Sequence, residues 1–93
     1  MKEYEKGYKE AQREIAKRML EDKIRDHYVS LWTGLSIAEL VLLQHKEEIE
    51  PLLKDGTEIY DIYFASLILE ISFESALDAV ELLKRLRTEE MER

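Results

Sequence analysis

The chain has no cysteine, one proline and three isolated glycines among its 93 residues. Without cysteine, no disulfide or thiolate metal site can supplement a small hydrophobic core. Isolated glycines do not form the Gly-rich loop that binds phosphate groups. No apolar run approaches the roughly 18 residues that span a bilayer, and the charged N-terminus does not resemble a signal peptide. We therefore expect a cytoplasmic protein with no membrane attachment and no cofactor.

Positive charge is also scarce through the middle of the chain. Between His27 and Leu83 the only basic residues are Lys46 and Lys54. Residues 1–26 carry a net charge of +1, whereas residues 27–93 carry a net charge of −8. Because Lys and Arg contacts to phosphates supply much of the affinity for nucleic acid, this distribution disfavours specific DNA binding.

What the chain does contain is helix-forming sequence. Charged residues make up 38% of it, and apolar residues recur at helical spacing. The length is that of one domain, and we predict an all-α bundle of about five helices. Residues 1–46 form a helix-turn-helix-like part, and residues 47–93 form a more apolar part. A chain this short buries only about 60–65% of its unfolded surface, so oligomerisation is a common remedy.

The best-specified local signal is a turn before the third helix. Ser36 and Glu39 have the spacing of a capping box, and Leu35 and Leu40 have that of a hydrophobic staple. Gly34 stands where the preceding helix needs a left-handed residue to end. Two helices joined by such a turn predict a helix-turn-helix unit, in which the second of the two would be the DNA-reading helix.

Residues 5–44 resemble the C-terminal tail of the recombination-promoting nuclease family, which are PD-(D/E)XK-type proteins also described as transposases. The similar segments read EKGY at residues 5–8, IAKRML at residues 15–20 and TGLS at residues 33–36. The chain departs from the family pattern at Lys23, where a glycine is usual, so a continuous helix through this point remains open. The resemblance implies a helix-turn-helix tail without the nuclease domain, and so it brings no catalytic residue. Residues 46–93 show no such resemblance.

The helical periodicity predicts the bounds and inward faces of the helices. The predicted helices are residues 2–22, 24–33, 37–46, 59–71 and 73–88, with a frayed end beyond. Pro51 either kinks the third helix or starts a new turn at residues 50–54. Asp55 or Thr57 is the expected cap of the fourth helix, and Ser72 or a kink precedes the fifth. The predicted inward residues are Tyr4, Tyr8, Ala11, Ile15 and Met19, then Ile24, Tyr28, Leu31 and Trp32, then Ile37, Leu40, Val41 and Leu43 or Gln44, and finally Phe73, Ala76, Leu77, Val80, Leu83 and Leu86.

The segment 59–71 is the most apolar stretch, with ten apolar or aromatic residues out of thirteen. Its composition also permits a strand, but it is too long for one strand and lacks a hairpin turn, so we predict a helix. A helix that is apolar on nearly all sides must be covered on nearly all sides. We therefore predict a homodimer whose seam lies near Tyr63, Phe64, Leu67 and Ile68.

Groups that could carry chemistry are sparse. Glu21-Asp22-Lys23 has the letters of a nuclease Glu-x-Lys motif but stands at a predicted helix end rather than on a strand. His45 and Glu48 share a helical face, yet a metal site needs further ligands and supporting groups. Ser30 lies three residues from His27, a spacing that is common by chance. We predict no catalytic, metal-binding or cofactor-binding residue, and no enzyme.

We interpret the chain as a non-enzymatic module that binds and modulates a partner protein. Its partner-binding residues are predicted to be Glu39, Leu42, Glu47 and Glu48. One form of this hypothesis is an acidic inhibitor that occupies the basic surface of a nucleic-acid-acting protein. The alternative is a DNA-binding regulator that uses residues 36–44, although that helix has no Lys or Arg before Lys46.

Overall fold

A computed structural model describes residues 2–91, and the side chains of residues 7–90. Within this range the chain forms five α-helices, one 3-10 turn and no strand, so the predicted all-α bundle is confirmed. The helices are α1 (Lys2–Glu21), α2 (Asp26–Thr33), α3 (Ile37–Ile49), α4 (Ile59–Leu69) and α5 (Phe73–Met91), and the 3-10 turn is Glu50–Leu53. None of the helices in the described range has the length and hydropathy of a membrane crossing.

The turn between α2 and α3 is built as the sequence predicts. Gly34 has φ +77°, and its N–H donates to the Ser30 carbonyl at 2.9 Å. The Glu39 amide donates to Ser36 Oγ at 3.1 Å, and the Ser36 amide donates to Glu39 Oε1 at 2.9 Å. Both donors belong to the first turn of α3, where backbone N–H groups have no helical partner. The capping box therefore fixes where α3 begins.

Two other helices end at residues that are not glycine. Lys23 has φ +67° and Glu70 has φ +58°, which is the left-handed conformation that glycine adopts most easily. The next residue donates five positions back in each case, Ile24 to the Met19 carbonyl and Ile71 to the Ser66 carbonyl, both at 3.0 Å. These are Schellman-type ends. A continuous helix through Lys23 is therefore not formed, and α4 stops two residues short of the predicted position 71.

The starts of the remaining helices test three further predictions. The Asp61 carboxylate accepts from the Glu58 amide at 2.8 Å, so the predicted cap at Asp55 or Thr57 is wrong and α4 is capped at Glu58. Ser72 Oγ accepts from the Ser75 amide at 3.0 Å, which confirms the predicted cap of α5. Pro51 lies in the first turn of the 3-10 segment, where its missing N–H costs nothing.

Buried side chains form two clusters, and α3 contributes residues to both. The first core consists of Ala16, Val29, Leu35 and Leu40. The second core consists of Val41, Ile49, Ile62, Ala76, Ala79, Val80 and Leu83. Consecutive residues of α3, Leu40 and Val41, thus belong to different cores. The same helix packs against α1 and α2 on one side and against α4 and α5 on the other.

This arrangement makes the molecule flat. Its principal dimensions are 38 × 37 × 17 Å and its radius of gyration is 14.0 Å. A compact domain of this length has a radius of about 12 Å, and one helix with its side chains is about 10–12 Å across. The molecule is therefore a flat plate rather than a sphere.

The predicted inward faces of α1 and α2 are wrong. In α1 the buried residue is Ala16, while Tyr8, Ala11 and Ile15 are exposed and Met19 is half-buried. In α2 the buried residues are Val29 and Thr33, while Tyr28, Leu31 and Trp32 are exposed and Ile24, just before α2, is half-buried. The side chain of Tyr4 lies outside the described residues. Small Ala16 lets the two helices approach closely, and the large residues beside it are turned outward.

The bounds of α3 and α5 also differ from the prediction. α3 continues to Ile49 with a kink at His45, where φ is −134°. α5 continues to Met91, so the predicted fraying is wrong for the described residues after Thr88. An ion pair between Arg87 and Glu50 holds this end of α5 to the 3-10 turn. Leu86, predicted to face inward, is exposed, and Gln44 is exposed as well.

Candidate interaction surfaces

The helix that a DNA-binding helix-turn-helix would insert into the major groove is recessed in this fold. α5 packs along α3, and α1 packs against its other side. Between these three helices lies a cleft of about 300 Å³, which we call the α3 cleft. Its lining residues are Arg13, Glu39, Leu42, Leu43, Lys46, Leu82, Leu83 and Leu86. The cleft thus has a leucine floor and a few charged groups at its edge.

Glu39, the first predicted partner-binding residue, is engaged inside the molecule. Its carboxylate accepts the Ser36 amide, and its Oε2 lies 3.7 Å from Lys9 Nζ. Partial burial raises the pKa of the Glu39 carboxyl, but the Ser36 hydrogen bonds and the charges of Lys9 and Arg13 together lower it below its ordinary value of 4.5. The ionised carboxylate therefore caps α3 and links it to α1.

The other three predicted partner-binding residues lie in two places. Leu42 is half-buried and lines the α3 cleft beside Glu39. Glu47 and Glu48 are exposed beyond the kink and do not line the cleft. Glu48 Oε1 lies 3.9 Å from His45 Nδ1. The structure therefore brings Glu39 and Leu42 together and places the two later glutamates at one end of the same helix.

The four predicted dimer-seam residues share one exposed face of α4. Tyr63, Phe64, Leu67 and Ile68 are 47%, 57%, 55% and 79% exposed. Ile59 and Tyr60 extend the same face and are also more than half exposed. These last two were not among the predicted seam residues, although Tyr60, Phe64 and Leu67 follow the spacing of one helical stripe. We call these six residues the α4 face; the opposite side of α4 is buried through Ile62 and Ser66.

Part of the α4 face is concave. Ile59, Tyr60, Tyr63 and Phe64 line a depression of about 480 Å³ together with Phe73 from the start of α5. The ring centroids of Tyr63 and Phe73 are 6.4 Å apart, within the range of favourable aromatic pairs. The surface is therefore shaped by two helices, and it contains no charged side chain.

A second aromatic surface lies on α2, where the helical periodicity predicts a buried face. Leu31 is 74% exposed and Trp32 is 64% exposed. The ring centroids of Tyr28 and Trp32 are 5.9 Å apart, and those of His27 and Tyr28 are 4.1 Å apart with the rings tilted by 37°. Periodicity placed Tyr28, Leu31 and Trp32 on the inward face, whereas the buried residues of α2 are Val29 and Thr33.

The residues considered for catalysis or metal binding do not form a site. Glu21, Asp22 and Lys23 stand at the end of α1 with no strand beside them. Ser30 Oγ donates to the Leu35 carbonyl at 2.6 Å and is used by the turn. Across the described part of the chain, no three His, Asp or Glu residues come together as metal ligands.

Comparison with known families bears directly on the α1–α3 unit. Residues 9–45 match the C-terminal HTH domain of the Rpn/YhgA-like nuclease family. The match confirms the resemblance and the helix-turn-helix unit, and it does not include a nuclease domain. It covers less than half of the chain and ends at His45, the kink of α3. No curated protein and no solved structure gives a significant match.

Proposed function

We propose that this chain is a non-enzymatic protein-interaction module that binds and modulates a partner protein through the α3 cleft. The observation that supports this proposal is the position of α3, which forms the floor of a cleft between α1 and α5. A recognition helix must project far enough to reach base edges in the major groove. A recessed α3 is better placed to receive a segment of another protein.

The charges around α3 also favour a protein over DNA. The only Lys or Arg on α3 is Lys46, whereas Glu47 and Glu48 are exposed just after it. Each carboxylate near a phosphate lowers the affinity that basic groups supply. The Lys9 ammonium, which could contact a phosphate, is paired with Glu39.

The occupant that best fits the cleft is an amphipathic helix with apolar and basic faces. Leu42, Leu82 and Leu86 offer an apolar floor of the kind used in helix-in-groove recognition. The charged residues that line the cleft are Arg13, Glu39 and Lys46, so the attraction for a basic partner comes from the chain's net charge of −7, which speeds association. A nucleic-acid-acting protein has such a basic surface, and occupying it would inhibit that protein by excluding nucleic acid.

A DNA-binding regulator is the second candidate, and the family match to an HTH domain favours it. In that case α1 would have to supply the phosphate contacts. Its exposed basic residues in the described range are Lys9, Arg13, Lys17 and Arg18. This requirement gives the two candidates different mutational signatures.

Fluorescence anisotropy can separate them by using a labelled amphipathic Leu/Lys helical peptide and a labelled DNA duplex at physiological salt. We expect the peptide to bind, and Leu86→Glu to weaken it about tenfold or more because a carboxylate then stands in the apolar floor. Leu31→Glu, the same change at an exposed site on α2, is the matched control and should have no effect.

The opposite pattern would favour the regulator. It consists of sequence-dependent duplex binding that weakens steeply with salt and is lost in Lys17→Glu, together with peptide binding that Leu86→Glu leaves unchanged.

A further inference from the structure

The α4 face covers half of the circumference of its helix. Ile62 and Ser66 pack inward, and the outward arc is formed by the six residues Ile59, Tyr60, Tyr63, Phe64, Leu67 and Ile68. A surface helix normally shows polar side chains on its outward side. Here the only charged residue of α4, Asp61, accepts the Glu58 amide at the helix start. The outward arc of α4 therefore has the apolar composition of a buried surface.

We infer that the α4 face binds the α4 face of a second copy of this chain, related by a two-fold axis. The exposed parts of the six side chains amount to roughly 800 Å², given the size of large apolar and aromatic side chains. About 800 Å² per partner is what a standard stable interface buries. If it is covered completely, the face therefore supplies most of the area of a standard interface. Under two-fold symmetry the same surface of both copies can form the contact.

The contiguity of the exposed apolar residues on α4 supports the same pairing. Monomeric proteins seldom expose a contiguous apolar patch of more than a few hundred Å². The six residues of the α4 face are between 47% and 79% exposed, so the described helices of the protomer leave this patch uncovered. A second copy placed on the same face would cover it.

The charges around the α4 face give the dimer a diagnostic salt dependence. No Lys or Arg occurs between Lys54 and Lys84, and Glu58, Asp61 and Glu70 lie at the two ends of α4. An antiparallel pair of α4 helices brings the acidic ends of the two copies together, and they repel. Added salt screens this repulsion, so the dimer should tighten as salt rises. A basic partner on this face would instead bind more weakly at high salt.

Sedimentation equilibrium of the full chain over a wide concentration range tests the pairing. We expect a dimer mass that falls to the monomer mass in Ile68→Asp and in Phe64→Asp. Both side chains are exposed in the protomer, so circular dichroism should show that the variants remain folded. Leu31→Asp is the matched control, since Leu31 is as exposed as Ile68 but lies on α2.

Trp32 provides an internal reporter, because it is the only tryptophan and lies on the exposed side of α2. Dimerisation through α4 should leave its emission unchanged. A wild-type monomer at all concentrations would overturn the pairing, as would a dimer that survives Ile68→Asp. Two results together would place the seam on α2 instead: a blue shift of Trp32 emission when the wild type dimerises, and loss of that dimer in Leu31→Asp. The pairing and the α3 cleft involve different residues, so peptide binding by a monomer would leave the proposed function standing.

Discussion

The ammonium nitrogen of Lys9 lies 3.7 Å from a carboxylate oxygen of Glu39, so α1 is tied to α3 at the residue that closes the capping box. One carboxylate thus stabilises both a helix start and a contact between helices. This double role explains why the pKa of Glu39 lies below its ordinary value despite partial burial. It also means that Glu39 stabilises the fold of the protein itself, whether or not a partner is bound.

The lowered pKa of Glu39 predicts a specific pH dependence. Because the folded pKa lies below the unfolded value of about 4.5, the stabilisation is fully present above that value and is lost as the pH falls through the folded pKa. Glu39→Gln should therefore lower stability at neutral pH and make its decline in acid shallower. Urea unfolding of both proteins across this acid range measures the difference. Glu47→Gln, at an exposed carboxylate of the same helix, should leave the curve closer to wild type.

The serine of the capping box gives a second prediction. Ser36→Ala should destabilise the protein by about 1 kcal/mol, as the loss of an N-cap typically does. Ser36→Asp keeps an acceptor for the Glu39 amide and should cost much less. Thermal or urea melts provide the measurement. A Ser36→Ala change smaller than the error of the melt would show that α3 does not depend on this cap.

The two left-handed residues that are not glycine give a third prediction. A side chain in this conformation costs about 1–2 kcal/mol, and glycine removes that cost while adding about 0.5–1 kcal/mol of chain entropy. Lys23→Gly and Glu70→Gly should each stabilise the protein by up to about 1 kcal/mol. Gly34→Ala, at φ +77°, should do the opposite by a similar amount. Destabilisation by both glycine variants in urea unfolding would contradict the left-handed geometry.

The outward position of Trp32 gives a fourth prediction. Trp32→Ala should change stability by no more than about 0.5 kcal/mol, as exposed substitutions usually do. Leu40→Ala should cost about 2–5 kcal/mol, because Leu40 is fully buried in the first core. Urea unfolding compares the two directly. Similar large losses in both variants would mean that α2 is rotated relative to this structure.

Local signals predicted the backbone well where a side chain contacts its own helix end. Ser36 and Glu39 could be recognised because capping needs only two residues at a fixed spacing. Glu58 was missed because Asp55 and Thr57 are commoner caps, although Asp61 stands at the third helical position where it can accept the Glu58 amide. At Lys23 the usual glycine is replaced, so the sequence carried only part of the signal for a helix end.

Side-chain burial was harder to predict, because it depends on how closely two helices approach. Periodicity favoured Ile15 and Trp32 because they are large, whereas the helices meet through Ala16 and Val29. Four residues of the α4 face were predicted to lie at a dimer seam for a different reason: a segment that is apolar on all sides must leave some apolar side chains exposed when few helices are available to cover it. The α3 cleft could not be foreseen, because it is formed by residues from α1, α3 and α5 that are distant in sequence.

The adjacency of Leu40 and Val41 has a consequence for how the protein unfolds. Each belongs to a different core, and Ile37 of the same helix packs against both, so α3 contributes side chains to both halves of the molecule. Loss of α3 removes side chains from both cores at once. Neither half can then persist as an independent cooperative unit, and amide hydrogen exchange should report the same opening free energy for protected amides of α2 and α5.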